Sequence, residues 1–218
     1  FSGVSAVVGS AFNDTITGAN NPNNTTEEFA GRGGNDFIDG KGGFDRAYYS
    51  DDPTGAGIQV NMALGTVTGD AAIGTDTLRS IESIRGTKFA DTYDATGFSG
   101  TSANAGSFTT FNEIEGMGGN DTITGNGNTR IAYYNAFAGV TVDLSLGTAR
   151  DSADALNGTT FDLASVGVDS FTFVNAVRGS NFGDTILGAA NANNLDGRAG
   201  VARTHGRVRH KTANGGGH

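Results

Sequence analysis

GRGGNDFID, residues 31–39, followed directly by GKGGFDRAY, residues 40–48, decides how the rest of the chain is read. These are two nine-residue units in tandem, each spelling Gly-x-x-Gly-x-Asp-x-apolar-x. Gly31, Gly34, Asp36 and Ile38 hold the marked positions in the first, and Gly40, Gly43, Asp45 and Ala47 in the second. Glycine permits a tight turn at φ values that a Cβ resists, and the Asp closes that turn with a carboxylate. The three residues after it read as a short strand with one inward side chain. Backbone carbonyls and an anionic oxygen, without nitrogen or sulfur, suit a hard cation, and a flexible set of that kind suits Ca²⁺ better than Mg²⁺.

The pattern spreads outward from there. Gly9–Thr17 (GSAFNDTIT) is a variant unit with Phe12 at the second Gly position and Asp14 and Ile16 in place. Pro22–Ala30 is a decayed unit with Glu27 at the Asp position and Phe29 inward. Gly57–Thr66 (GIQVNMALGT) alternates apolar and polar residues and reads as a strand, and Gly74–Gly86 (GTDTLRSIESIRG) as strand and turn anchored by Leu78, Ile81 and Ile84. Then the order restarts. Gly86–Asp94 repeats the phenylalanine variant with Phe89 and Asp91, and Gly116–Thr124 (GMGGNDTIT) repeats residues 31–39 at an offset of 85. Gly125–Tyr133 answers residues 40–48, Gly139–Thr148 answers Gly57–Thr66 at offset 82, and Gly167–Gly179 answers Gly74–Gly86 at offset 93. A third copy opens at Gly179–Leu187, with Phe182 and Asp184, and runs on through Gly188–Asp196 with Leu195 inward. Internal duplication of units that cannot bury their apolar side alone predicts a stacked repeat architecture. The copies span about 9–85, 86–178 and 179–200 within a unit of residues 1–200. Residues 201–218 form a basic tail expected to lie outside the stack, either native or read out of frame over Thr204–His210.

The nonapeptide resembles the repeat of the haemolysin-type calcium-binding (RTX) family. That resemblance implies an all-β fold, a right-handed parallel β-roll or β-helix solenoid with irregular loops between copies. It also implies type I secretion to the cell exterior or surface, directed by C-terminal sequence. Two units make one coil in that family, so turns eighteen residues apart would stack, placing Asp45 over Glu27 and Asp36 over the region near Gly18. Asn112 and Arg130 then fall at Asp positions flanking Asp121, which argues against a long ladder of ions; roughly two to four are expected.

Composition bounds the function. Of 218 residues, 36 are Gly and none is Cys or Trp, so no disulfide framework or thiol chemistry exists and metal ions are the expected staples. Residues 1–197 carry 23 acidic and 9 basic groups, a net −14, whereas five basic residues and all three His lie from Arg198 onward. An acidic body disfavours nucleic acid or an anionic membrane as a partner and favours cations. No apolar run reaches membrane-spanning length, and Phe1 opens without a signal-peptide pattern, as a segment of a longer protein would.

The expected metal-site residues are Asp36, Asp45 and Asp121, with Gly31, Gly33, Asn35, Gly40, Gly42, Gly116, Gly118 and Asn120 shaping their turns and Glu27 stacked on Asp45. Asp14, Asp91 and Asp184 are weaker candidates, because Phe12, Phe89 and Phe182 should pack inward and the Asp there can serve as a turn cap. Asp76 and Asp169 read as solvated turn residues rather than accessory ligands. Of the pairs Tyr48-Tyr49 and Tyr133-Tyr134, one ring each should be core. With every His in the tail, no Ser-His-Asp or zinc triad can be assembled in the body. The expected role is therefore a calcium-binding structural segment with calcium-coupled folding, meeting neighbouring repeats or a surface glycan. The alternatives are a carbohydrate-binding accessory module or a β-helix polysaccharide lyase or epimerase.

Overall fold

The structure, a computed structural model, describes residues 4–23, 25–51, 54–152 and 165–198, and the backbone of 203–205 and 208–211. Nineteen strands among them join in one all-β sheet, nearly closed on itself. The chain visits two ladders alternately. In spatial order the first ladder holds β1 (Ala6–Val8), β3 (Glu28–Ala30), β5 (Arg46–Tyr48), β9 (Ser83–Arg85) and β11 (Asn112–Glu115). It continues with the second halves of β12 (Thr122–Ala132) and β15 (Val168–Arg178), then β17 (Asn193–Asp196) and β19 (Val208–Lys211). Every pairing in it is parallel.

The second ladder begins with β2 (Thr15–Thr17), β4 (Phe37–Asp39), β8 (Thr75–Arg79), β7 (Thr66–Thr68), β6 (Gln59–Asn61) and β10 (Thr92–Asp94). The first halves of β12 and β15 follow, then β14 (Thr148–Asp151), β13 (Val140–Asp143), β16 (Thr185–Leu187) and β18 (Arg203–His205). It is parallel except at β6–β7–β8 and β13–β14–β15, where the chain doubles back in an antiparallel hairpin. Gly57–Thr66 is therefore not one strand. Met62 is buried, Leu64 is 62 % exposed at the hairpin tip, and Gly65 takes φ +65°. Leu146 stands exposed on the matching hairpin of the second copy.

Three-residue strands suffice because one inward residue per strand meets its counterpart on the facing ladder. Ile16, Ile38 and Leu78, then Val60, Tyr93, Ile123 and Phe171, line the inner side of the second ladder. Phe29, Ala47, Ile84, Ile114, Ile131, Val177 and Leu195 line the first. All belong to one buried cluster. Each large apolar side chain so buried contributes about 1.5–3 kcal/mol.

The register corrects several expectations. Asp36 stacks on Asp14, twenty-two residues back, because the loop after Ala19 lengthens that coil beyond eighteen. Asp45 does stack on Glu27. Arg130 is not at an Asp position. The unit opening at Gly125 is one residue short, so Ile131 pairs in the Ile84–Ile114 column, Thr129 takes the Asp rung and Arg130 matches Arg46. The core tyrosines are Tyr49 and Tyr133, equivalent by the same shift. Phe12 is 78 % exposed and Phe182 45 %, while Phe89 is half-buried, since the fourth turn residue sits on the outer edge of the stack. Within the tail, β18 and β19 continue both ladders in parallel instead of breaking from them. Residues 199–202, 206–207 and 212–218 lie outside the described residues.

Candidate functional site

Two residues before each inward side chain stands a polar one, and these residues form a column on each ladder. On the second ladder, among the described rungs of its parallel strands, it is Asp at every one except β6 and β13: Asp14, Asp36, Asp76, Asp91, Asp121, Asp169 and Asp184. On the first it runs Glu27, Asp45, Glu82, Asn112, Thr129, Asn175, Asn193, anionic for three rungs and neutral thereafter. Asp76, Asp169 and Glu82 are thus in register after all, and all three are buried. Their signal was present as acid-x-apolar; Gly74 and Gly167 keep the fourth turn position before Asp76 and Asp169, but the opening glycine is missing there and both glycines are missing before Glu82.

The Asp column binds coil to coil. Asp36 Oδ1 accepts the Asp14 N–H at 2.8 Å, Asp76 Oδ1 the Asp36 N–H at 2.9 Å, Asp121 Oδ1 the Asp91 N–H at 2.8 Å and Asp169 Oδ1 the Asp121 N–H at 3.1 Å. Asp91 and Asp184 do the same for Ile58 and Val140 on the hairpin strands. The preceding Asn reaches the other way. Asn35 Oδ1 accepts the Thr75 N–H and Asn120 Oδ1 the Val168 N–H, each at 2.8 Å. An Asn-Asp pair therefore ties its turn to the coil before it and the coil after it.

The second carboxylate oxygen separates the turns into two classes. In the phenylalanine variants the second residue is Ser10, Thr87 or Ser180, whose N–H donates to the Oδ2 of Asp14, Asp91 or Asp184 at 2.5, 2.8 and 2.9 Å. Their hydroxyls also donate to the same carboxylates. These Asp residues are turn caps. Asp76 Oδ2 and Asp169 Oδ2 receive the Tyr49 and Tyr133 hydroxyls at 3.0 and 2.9 Å. In the Gly-x-Gly-Gly or Gly-x-Gly-Gly-like turns at 31, 40 and 116, the second residue is Arg32, Lys41 or Met117 at φ +68°, +67° and +72°. The fourth is Gly34, Gly43 or Gly119 at φ +115°, +133° and +95°, which a side chain would strain. In these turns Asp36, Asp45 and Asp121 keep a buried Oδ2 with no hydrogen-bond partner among the described residues. Each such oxygen leans over the first glycine of its own turn, so that a Cβ on Gly31, Gly40 or Gly116 would collide with it.

Glu82 adds a fourth orphan carboxylate oxygen, and on the neutral rungs Asn112, Asn175 and Asn193 each keep a buried Oδ1 with no hydrogen-bond partner among the described residues. Glu82 Oε2 accepts the Asp45 N–H at 2.9 Å, and its buried Oε1 has no partner at hydrogen-bond geometry. Burial pushes the Asp45 carboxyl up to about 7, helped by the Glu82 charge, with the Glu27 N–H pulling against it. Burial likewise lifts Glu82 to about 7 against nearby N–H groups, that of Asp45 first. Burial and then the Asp169 and Asp91 charges lift Asp121 to about 9. Buried acceptors that lack donors and resist ionisation are the condition a bound cation relieves. Among the described residues no three His, Cys, Asp or Glu side chains already converge on one point, so any ion here must draw on backbone or water oxygens as well. Gly33, Gly42 and Gly118 lie in these turns, where a Cβ would crowd the backbone or side chains of the neighbouring coil or loop.

No family model matches the chain, and no curated protein matches its sequence.

Proposed function

We propose that this chain is a calcium-binding structural repeat segment of a larger secreted protein, wound as a right-handed parallel β-roll or β-helix, whose folding is coupled to calcium. The observation that carries the reading is the placement of the orphan oxygens. Among the column carboxylates, Asp36, Asp45 and Asp121 have a buried, donorless Oδ2, and they close the three glycine-shaped turns that resemble the RTX repeat. A donor set of carboxylate and backbone oxygen fits Ca²⁺. Three sites follow: the Asp36 turn, the Asp45 turn with Glu82 beside it, and the Asp121 turn. Asp14, Asp91 and Asp184 cap their own turns and serve the stack, and the neutral rungs from Asn112 onward leave the rest of the first ladder without an anionic ligand.

Alternate visits to two largely parallel ladders, with one inward residue per strand, support the roll. Calcium supplies what this architecture lacks. Residues 1–197 hold a net −14, and a Gly-rich backbone loses about 1–2 kcal/mol per residue on ordering. An ion bound only by the fold adds about 2.7 kcal/mol per site at a hundredfold excess over Kd. Three such sites match a small domain's whole stability. The chain unfolds at cytosolic calcium on this reading and folds outside, where it meets neighbouring repeats of its parent protein or a surface glycan. Far-UV circular dichroism in chelator, in millimolar Ca²⁺ and in millimolar Mg²⁺ tests it: a β spectrum is expected with Ca²⁺ alone, and one spectrum and melting temperature in all three conditions would sink it.

A further inference from the structure

On the outer side of the first ladder, away from the apolar interior, lies an open groove of about 530 Å³. Phe44, Phe108 and Phe111 form one flank, with Phe44 edge-on to Phe108 at 5.5 Å and Phe108 tilted against Phe111 at 6.3 Å. All three rings are half-buried. Arg46, Arg130 and Arg178 line it as well, with the Arg130 guanidinium 6.0 Å from the Phe44 ring centre. The described residues lining it include no carboxylate, in a body that is strongly acidic elsewhere.

The three arginines are unequally served. All share the fully buried Glu113 carboxylate. Arg46 has a second carboxylate in Glu28 at 2.5 Å and a hydroxyl in Ser83 at 3.1 Å. Arg130 meets Glu113 through Nε, and its guanidinium lies 4.9 Å from the Phe111 ring centre. Arg178 reaches Glu113 and Asp196 only at 3.4 and 3.6 Å, and its buried Nε has no hydrogen-bond partner among the described residues. Burial, opposed by Glu113 and reinforced by the Arg178 charge, lowers the Arg130 pKa. Two adjacent guanidinium groups, one with a buried Nε that has no hydrogen-bond partner among the described residues, stand beside half-buried aromatic rings, an arrangement suited to an anion carried by a ring.

We infer that this groove binds a ring-bearing carboxylate, with its ring against Phe108 and Phe111 and its carboxylate on the forks of Arg130 and Arg178. A fork-to-carboxylate pair is the strong, planar form of such a contact, and the volume suits a ligand of one or two rings. A polyanion is disfavoured by the −14 body; a single carboxylate is not.

Benzoate is the probe, titrated calorimetrically into the chain folded in calcium at low salt, beside acetate (charge without ring) and benzyl alcohol (ring without charge). Benzoate should saturate one site at least about tenfold more tightly than either. Arg178→Gln and, separately, Arg130→Lys should each weaken it about tenfold with the circular dichroism spectrum unchanged. In the unsubstituted protein, benzoate ring protons should show nuclear Overhauser contacts to Phe108 and Phe111, a readout that holds even if a variant fails to fold. Acetate binding as well as benzoate, no saturation by benzoate, absent contacts to those rings, or folded variants of undiminished affinity would each overturn the site. Phe44 belongs to the Asp45 turn, but no side chain lining the groove is a proposed calcium ligand, so loss of benzoate binding in the calcium-folded chain overturns the groove alone, whereas an unchanged spectrum in chelator overturns the calcium reading alone.

Discussion

Asp45 and Glu82 are joined through one hydrogen bond, Asp45 N–H to Glu82 Oε2 at 2.9 Å, and each retains a buried carboxylate oxygen without a donor. The fold has brought two acids together at successive rungs and supplied each with only half of what an ionised carboxylate needs.

Acid should therefore stabilise the calcium-free protein. Unfolded carboxyls titrate near 4, whereas Asp45 and Glu82 are pushed up to about 7, Asp91 to about 6 and Asp121 to about 9 in the fold, burial being the largest cause in each. A carboxyl whose folded pKa is the higher one binds its proton more tightly in the fold, so its stabilisation is complete below about 4 and lost as pH rises through those values. In chelator, where the chain is largely unfolded near neutral pH, the folded fraction read by circular dichroism should rise as pH falls from 9 to 5. In saturating calcium the rise should vanish, because the ion needs the ionised form. A chelator spectrum whose folded fraction falls steadily on acidification over that range contradicts the assignment.

Asp36→Ala or Asp121→Ala should reduce calcium affinity at one site by tenfold or more, since each removes the anionic ligand of a glycine-shaped turn. Asp184→Ala should leave calcium stoichiometry unchanged and instead cost about 1–3 kcal/mol, as the buried Val140 and Ser180 N–H groups lose their acceptor. Equal calcium losses in all three, read by calorimetric titration, would erase the distinction between the two turn classes.

Gly31→Ala and Gly116→Ala should each destabilise the fold by about 1–3 kcal/mol, because the new Cβ strikes the Asp36 or Asp121 carboxylate. Gly127→Ala is the control. It has φ +86° but open space around it, so it should cost about 1 kcal/mol from backbone strain alone. Chemical denaturation in calcium ranks the three, and a Gly127 penalty above the other two would show that conformation, not contact, sets the glycine requirement.

Asn35→Ala should cost about 1 kcal/mol by freeing the Thr75 N–H, and hydrogen exchange at Thr75 should quicken while that at Asp14 stays slow. Simultaneous loss of protection at both amides would mean that Asn35 and Asp36 do not tie separate coils.

Much of this was legible in the residues. The nine-residue register located Asp36, Asp45 and Asp121, the decayed unit ending in Ala30 placed Glu27 and Phe29, and the duplication gave both hairpin copies the same surroundings. Stacking partners were harder to read, because they depend on loop length: four extra residues moved Asp36 from the Gly18 region onto Asp14, and one missing residue after Gly125 exchanged Arg130 for Thr129. Asp76 and Asp169 read as solvated turn residues, and Glu82 went unmarked, for a different reason. Their rungs keep the acid and the inward apolar residue but not the opening glycine, although Gly74 and Gly167 hold the fourth turn position, and it is the pair of acid and apolar residue that marks the column. Whether an Asp oxygen is capped or open turns on the residue four places before it, where Ser10 and Arg32 lead to opposite outcomes.

The antiparallel hairpins have a geometric consequence for the stack as a whole. Each of β6–β7–β8 and β13–β14–β15 places three strands on the second ladder where the first ladder advances by one. At about 4.8 Å per strand, the second ladder outgrows its neighbour by about 10 Å in every duplicated copy. Two sides of unequal length that stay in contact cannot remain straight. Further copies in series would bend the assembly into an arc with the hairpins on its convex rim, fixing which flank of a long array faces outward.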